Sequence, residues 1–289
     1  MSRYEDYHAV SETYDKTRSP IGTRILRRCL AAGHRPLLEM QLLDAGCGTG
    51  AYSQAMLPHV GRIDAIDLNE GMLSVARAKL APEAAAGKIA FHRGSIDALP
   101  FGDEIFDAAM VNQVLHHLED GTDPSFSVHA AVIAEMHRVL RPGGVLVINM
   151  CTREQLRRGY WYYDLVPEAR EACIRRHISG ESLAAMLTEA GFELRGGEAP
   201  LDAVMQGDAY FDMTGPLRES WRKGDSFWAL ASPEQIAEAE TRVREMQASG
   251  TLDSWFRERD ARREGVGQFT FFAAVRKPLC QAAGILRGN

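Results

Sequence analysis

Between Met40 and Met150 short apolar runs alternate with stretches in which apolar residues recur three and four positions apart. The runs "MQLLDA" (40–45), "RIDAID" (62–67), "KIAFH" (88–92), "FDAAMV" (106–111) and "GVLVINM" (144–150) have the length and composition of buried strands. Between them "EGMLSVARAKL" and "FSVHAAVIAEMHRVL" carry the helical period. "RPGG" (141–144) ends a helix and opens the fifth strand. Strands alternating with helices require right-handed crossovers, so the expected fold class is α/β, a doubly wound and mostly parallel sheet covered by helices on both faces.

Beyond Met150 the pattern changes. "SGESLAAMLTEAGFELRGGEAP" (179–200) reads as a helix, a glycine stop and a strand, and "GQFTFFAAVRKP" (267–278) as a last strand ended by proline. Residues 201–266 show no strand pattern but include "ASPEQIAEAETRVREMQASG", with Ser232 as N-cap, Pro233 in the first turn and Gly250 as stop. A structureless loop of that length is improbable, which predicts a helical insertion packed over one end of the sheet as a lid. "CTREQLRRGYWYYDLVPEAREACIRRH" forms a second elaboration after the fifth strand. Both elaborations leave strand ends, where open α/β sheets place ligands. Their aromatic stretches, "YWYYD" (160–164) and "ESWRKGDSFWAL" (219–230), either contact a substrate or cation or form the cap's own core.

Composition narrows the function. The 289 residues are 45% hydrophobic with a formal net charge of -6, which supports a sizeable core and argues against a protein that tracks nucleic-acid phosphates. Paired arginines such as Arg157-Arg158 and Arg262-Arg263 sit among acidic or apolar neighbours, as on solvated helix faces; an anion site is the rarer reading. The polar, aromatic N-terminus lacks a signal-peptide core, and no apolar stretch approaches a membrane span. Five cysteines (29, 47, 151, 173, 280) without a CxxC pair predict neither a disulfide framework nor a metal site, and a reducing cytoplasm. For Cys151 and Cys173 a soft-metal role is the alternative to buried thiols.

The chemistry concentrates in "LLDAGCGTGA" (42–51). Its GxGxxA string suits many nucleotides and is weak alone. Asp44, at the strand end, is more telling. A carboxylate there would repel a pyrophosphate but welcome an ammonium or sulfonium, while a ligand carboxylate could take the helix N-terminus beyond Gly50. A zwitterionic nucleoside, S-adenosylmethionine, has these features. Asp67 ends the second strand about twenty residues later, where an acidic side chain accepts both ribose hydroxyls. Asp64 lies inside that strand and is expected to face solvent or a helix cap.

Taken together, "LLDAGCGTG", "IDLNEGMLSVAR", "GSIDALPFGDEIFDAAMVNQVLHHLED" and "EMHRVLRPGGVLVI" resemble, in order and spacing over residues 40–150, the class I S-adenosylmethionine-dependent methyltransferases of the small-molecule kind. The resemblance implies seven strands with the last antiparallel, matching the hairpin read at 192–199 and 268–276, and helical cap insertions. It implies Asp44, Gly46 and Gly48 at the methionine end, Asp67 on the ribose, Leu68 and the Ile96 amide against the adenine, and Asn112 beside the methionine moiety. Ser95 stands where the family often has an aspartate for the adenine amino group; either Asp97 substitutes or packing holds the ring. Tyr14 resembles a tyrosine that closes over the cofactor, with a packing anchor as its alternative.

The expected division is 1–39 as an N-terminal helical segment closing over the cofactor, 40–200 plus 267–289 as a Rossmann-like core, and 201–266 as the lid. The expected function is in-line methyl transfer to a small-molecule acceptor, O- or N-methylation being favoured, without nucleic acid or membrane partners; a homodimer is left open. His116 or His117, read as lying on a helix after the fourth strand, is the candidate general base, with core packing as the competing role. A cofactor-binding protein without turnover and a nicotinamide-dependent oxidoreductase are the alternatives.

Overall fold

The apolar runs do become strands. The computed structural model describes residues 20–118 and 123–278, so Tyr14 and Cys280 lie outside the described residues. β1 (Gln41–Ala45), β2 (Arg62–Asp67), β3 (Ile89–Arg93), β4 (Phe106–Asn112), β5 (Leu140–Met150), β6 (Phe192–Glu198) and β7 (Thr270–Arg276) form one sheet in the order β3-β2-β1-β4-β5-β7-β6. β1 to β5 pair in parallel; β7 runs antiparallel to both β5 and β6.

Alternation along each strand sends neighbouring side chains to opposite faces. Leu42, Val145 and Val147 enter one core, and Leu43, Leu146 and Ile148 the other. On the first face pack α1 (Thr23–Leu30), α2 (Ala51–Met56) and α3 (Glu70–Lys79); on the second pack α5 (Ser127–Val139) and α8 (Gly180–Glu189). The remaining helices are α4 (Ala81–Ala85), α6 (Arg153–Arg158), α7 (Pro167–Arg175), α9 (Glu219–Arg222), α10 (Pro233–Ala248) and α11 (Leu252–Val266).

Residues 201–266 contain α9 to α11 and short 3₁₀ turns, and no strand. Ser232 caps α10 in a capping box with Gln235, and Gly250 beyond its end has a positive φ of 71°. Register fixes where the two elaborations spring from. Met150, the end of β5, pairs with Thr270, and Glu198, the end of β6, pairs with Phe271. Both therefore leave the carboxyl edge of the parallel strands. Trp161, Tyr162, Tyr210, Phe227 and Val243 from them join Leu42 and Val147 in one continuous apolar cluster. Burying an aromatic or leucine side chain stabilises by about 1.5–3 kcal/mol, so such a shared core ties the cap firmly to the sheet.

Asp64 departs from the sequence expectation. It is buried, accepting from His92 Nε2 at 2.9 Å and Gln41 Nε2 at 3.0 Å, with Arg62 at 3.5 Å. Partners on adjacent strands take the place of solvent, as a buried carboxylate requires.

Candidate functional site

A cavity of about 390 Å³ opens at the carboxyl edge, where the chain order reverses between β1 and β4. Such a switch point leaves a crevice between diverging loops. β1 contributes Asp44 and the turn through Gly46 and Gly48; β2 contributes Asp67 and Leu68; the loop after β3 contributes Ser95, Ile96 and Asp97; β4 contributes Asn112. The structure thus brings together all the described candidate positions except His116.

The turn is held by backbone. Gly46 and Cys47 amides donate to the Ile66 carbonyl at 2.8 and 3.0 Å, and Gly48 donates to Asp67 Oδ2 at 2.8 Å. Gly46 has φ 80°, and a Cβ there would lie 2.5 Å from Val114 Cγ2, so the position admits no side chain. Gly48, with φ 53°, has open space where a Cβ would stand. A ligand can approach its backbone closely.

Asp44 is buried and accepts from Ser53 Oγ at 2.6 Å. Burial pushes its carboxyl up to about 7, against the Ser53 hydrogen bond, with the nearby Asp67 charge adding to the rise. Near neutrality it is poised between the two protonation states. Burial also raises Asp67, opposed by the amides of Asn69 and Gly48. Its Oδ1 accepts from Asn69 at 2.8 Å, and the Asn69 side chain caps α3. Ser95 hydrogen-bonds Asp97, so the shorter residue works as a pair with its acidic neighbour. Leu68 is 40% exposed and Ile96 buried, giving the cavity apolar surface at that end. α2, following the turn, has only six residues and supplies a modest dipole.

Asn112 is buried, and neither its Nδ2 nor its Oδ1 finds a partner among the described residues. An unmet buried amide is costly unless a ligand completes it. With the open backbone at Gly48 and the neighbouring Asp44 and Asp67 carboxyls, it fits a ligand rich in polar groups.

The histidines divide. "LHHL" forms a 3₁₀ turn, Leu115–His117, and not the helix expected; its amides close three residues back, His117 onto the Val114 carbonyl at 2.9 Å and Leu118 onto the Leu115 carbonyl at 3.1 Å. His117 lines the large cavity, whereas His116 lines a smaller chamber behind it and stacks on His177 at 5.0 Å. The aromatic run divides too. Trp161 and Tyr162 are core, Trp161 donating to the Tyr210 carbonyl at 2.8 Å, while Tyr160 and Tyr163 line the chamber.

Sequence reasoning missed Gln113, Tyr52, Met205 and Phe269, all of which line the large cavity. The Gln113 amide donates to the Asn149 carbonyl at 2.8 Å and its side chain to Asn149 Oδ1 at 2.9 Å; Asn149 Nδ2 donates to Tyr52 Oη at 3.2 Å, which donates to the Ile21 carbonyl at 3.1 Å. A glutamine with positive φ is strained backbone at a functional edge. Its adjacency to Asn112 in "VNQV" was the one available signal. Met205 and Phe269 arrive from distant segments that no local pattern links.

Residues 43–148 match a family model described as a methyltransferase domain. The chain is 29% identical over 213 residues to the ubiquinone/menaquinone biosynthesis C-methyltransferase UbiE of Shewanella halifaxensis, covering 65% of this chain and 81% of that protein. It is 31% identical over 160 residues to the biotin biosynthesis bifunctional protein BioHC of Teredinibacter turnerae, covering 53% of this chain but only 26% of that protein. Among solved structures, a protein of Anabaena variabilis described as an antibiotic-pathway methyltransferase superposes with a TM-score of 0.66 at 20% identity, covering 89% of this chain and 98% of that one. The [4+2]-cyclase SpnF superposes with a TM-score of 0.56 at 19% identity, covering 94% of each. At such identities the structural likeness concerns the fold alone.

Proposed function

Because this chain belongs to the class I S-adenosylmethionine-dependent methyltransferases, we propose that it binds S-adenosylmethionine in the large cavity and catalyses in-line transfer of the methyl group to a small-molecule acceptor. The observation that carries the reading is the set of polar groups that line one cavity: Asp67, the Asn112 amide unpartnered among the described residues, and the poised Asp44 carboxyl. Asp67 would hold the ribose diol, with Leu68 and Ile96 against the base and Ser95–Asp97 near its amino group. Asp44, Gly46, Gly48 and Asn112 would hold the amino-acid end.

When bound, the cofactor supplies an electrophilic methyl group on a sulfonium. The chain must then align the acceptor, exclude water, and take a proton where the acceptor is a hydroxyl or amine. Met205 from the cap and Phe269 beside β7 border the cavity and suit water exclusion. His116 or His117 is the base we propose, neutral imidazole being suited to that task near pH 7. O- or N-methylation is favoured on this account; the name of the UbiE relatives makes a carbon acceptor the rival outcome. The net charge of -6 supports a small molecule over nucleic acid. Among the described residues no helix is long and apolar enough to cross a membrane.

Equilibrium binding of S-adenosylmethionine against NADH tests the cofactor, and mass spectrometry of an acceptor panel tests transfer. Methylated product with S-adenosylhomocysteine formed in equal amount is expected. NADH binding in place of S-adenosylmethionine would make the protein an oxidoreductase. Binding without transfer to any acceptor would make it a cofactor-binding protein.

A further inference from the structure

Four residues from separate parts of the chain are joined by hydrogen bonds at the wall of the large cavity: Gln113 after β4, Asn149 on β5, Tyr52 on α2 and Ile21 ahead of α1. Gln113, Tyr52 and Ile21 line the cavity, whereas Asn149 is buried outside the lining. We propose that Gln113 Oε1 is the group that meets the sulfonium centre of the cofactor, and that Asn149 is the positioning residue that turns it there. The proposal rests on the methyl-transfer reading above and adds the contact made at the reacting end.

The direction of the hydrogen-bond chain is fixed at one end. The Ile21 carbonyl can only accept, so Tyr52 Oη donates to it at 3.1 Å and uses its one proton there. Toward Asn149 the phenol oxygen can then only accept, which places Asn149 Nδ2 on it at 3.2 Å and turns Asn149 Oδ1 to Gln113. That oxygen takes Gln113 Nε2 at 2.9 Å. The Gln113 carboxamide is therefore not free to flip, and Oε1 is the end it presents to other partners. Asn149 grips the same residue a second time, its carbonyl accepting from the Gln113 amide at 2.8 Å. Two bonds from one residue hold Gln113 in its strained conformation, φ 55°.

An amide oxygen accepts two hydrogen bonds. Cys151 Sγ, a weak donor on the chamber side, lies 3.7 Å from Oε1 and takes at most one of them. A carbonyl dipole held in place at a cavity wall attracts positive charge and needs no reorganisation when that charge arrives. S-adenosylmethionine has two positive centres. Its ammonium belongs to the amino-acid end, assigned above to Asp44 and Asn112. Gln113 borders the chamber as well as the cavity, which Asn112 does not, so it stands farther toward the cap. The next positive centre in that direction is the sulfonium.

The test uses the full chain, titrated calorimetrically with S-adenosylhomocysteine and with sinefungin. The first lacks the sulfonium charge; the second carries an ammonium-bearing carbon where the sulfonium stands. Wild type should bind sinefungin roughly tenfold or more tightly, as for one charge-assisted hydrogen bond. Gln113→Asn withdraws the oxygen by one methylene while tolerating the positive φ, and should cut that preference roughly fivefold or more with S-adenosylhomocysteine affinity kept within about twofold. Asn149→Leu should cut the preference likewise, because the released carboxamide can present either end. Should Asn149→Leu not fold, Tyr52→Phe carries the same expectation, since it lets Asn149 flip and offer Nδ2 to Gln113 Oε1. No preference in wild type, a preference unaltered by Gln113→Asn, or equal loss of both ligands in that variant overturns the proposal; a side chain that only shapes the wall would give the last. A preference lost in Gln113→Asn but intact in the Asn149 or Tyr52 variant overturns the positioning role. Failure of S-adenosylhomocysteine to bind wild type would instead strike the methyl-transfer reading beneath it.

Discussion

Cofactor binding should expel a proton from Asp44. Its carboxyl sits at about 7 in the free protein because burial disfavours the anion and the nearby Asp67 charge adds to that, against the hydrogen bonds from Ser53. A ligand bringing a positive centre next to that group supplies the missing counter-charge, so the bound form should be the carboxylate. A group with pKa near 7 is about 0.9 protonated at pH 6, 0.5 at pH 7 and 0.1 at pH 8, and those are the numbers of protons released per cofactor bound. Affinity should rise about fivefold from pH 6 to pH 7 and less than twofold from pH 7 to pH 8. Calorimetry in two buffers of different ionisation enthalpy measures the release directly. Asp44→Asn should abolish it and flatten the pH dependence. 5′-Methylthioadenosine, which keeps the nucleoside without a positive centre, should release none. The same shift governs stability. A carboxyl raised from about 3.8 in the unfolded chain to about 7 in the fold binds its proton more tightly when folded. Its stabilising contribution is full below pH 4 and lost as pH rises toward 7, by about 4 kcal/mol. Asp44→Asn should therefore gain stability relative to wild type over that window. Zero proton release at both pH 6 and pH 7, or release that survives Asp44→Asn, would refute the assignment.

Three further outcomes follow from the same geometry. Asp67→Ala should fold and weaken S-adenosylmethionine by about 1.5–3 kcal/mol, as for a charge-assisted hydrogen bond; an unchanged dissociation constant in calorimetry would move the ribose contact elsewhere. With a hydroxyl or amine acceptor, His116→Ala should lower turnover by roughly 10²–10⁴ at nearly constant cofactor affinity, while His117→Ala, whose ring lines the cofactor cavity, should act mainly on cofactor binding; wild-type turnover in both variants would exclude either as base. Residues 201–266 should exchange amide hydrogens more slowly when S-adenosylhomocysteine and acceptor are both present, as a lid would; full protection in the free protein would make the segment a static scaffold.

The sheet was legible because its signals are local. Period-two runs, glycine stops and the proline ending the last strand each act within a few residues, and β1 to β7 fall on the runs that carry them. Non-local pairings were not legible. Asp64 reads as solvent-facing until Gln41 and His92 are brought against it by strand register. Within "YWYYD" four aromatics look alike, and only the compact 3₁₀ turn turns Tyr160 and Tyr163 toward the chamber while Trp161 and Tyr162 enter the core. The histidine pair reads as helical, but the His117 and Leu118 amides close onto carbonyls three residues back, and of the two rings only His117 lines the large cavity. The chamber itself was invisible, because its wall combines segments from 113 to 226.

The most direct test of the account is a structure of the protein with S-adenosylhomocysteine bound. The ribose hydroxyls should lie on Asp67, the base between Leu68 and Ile96, the amino-acid end against Gly46, Gly48, Asp44 and Asn112, and the sulfur toward Gln113 and Met205. A ligand seated outside this cavity, or reversed so that the base meets Asn112, would contradict it.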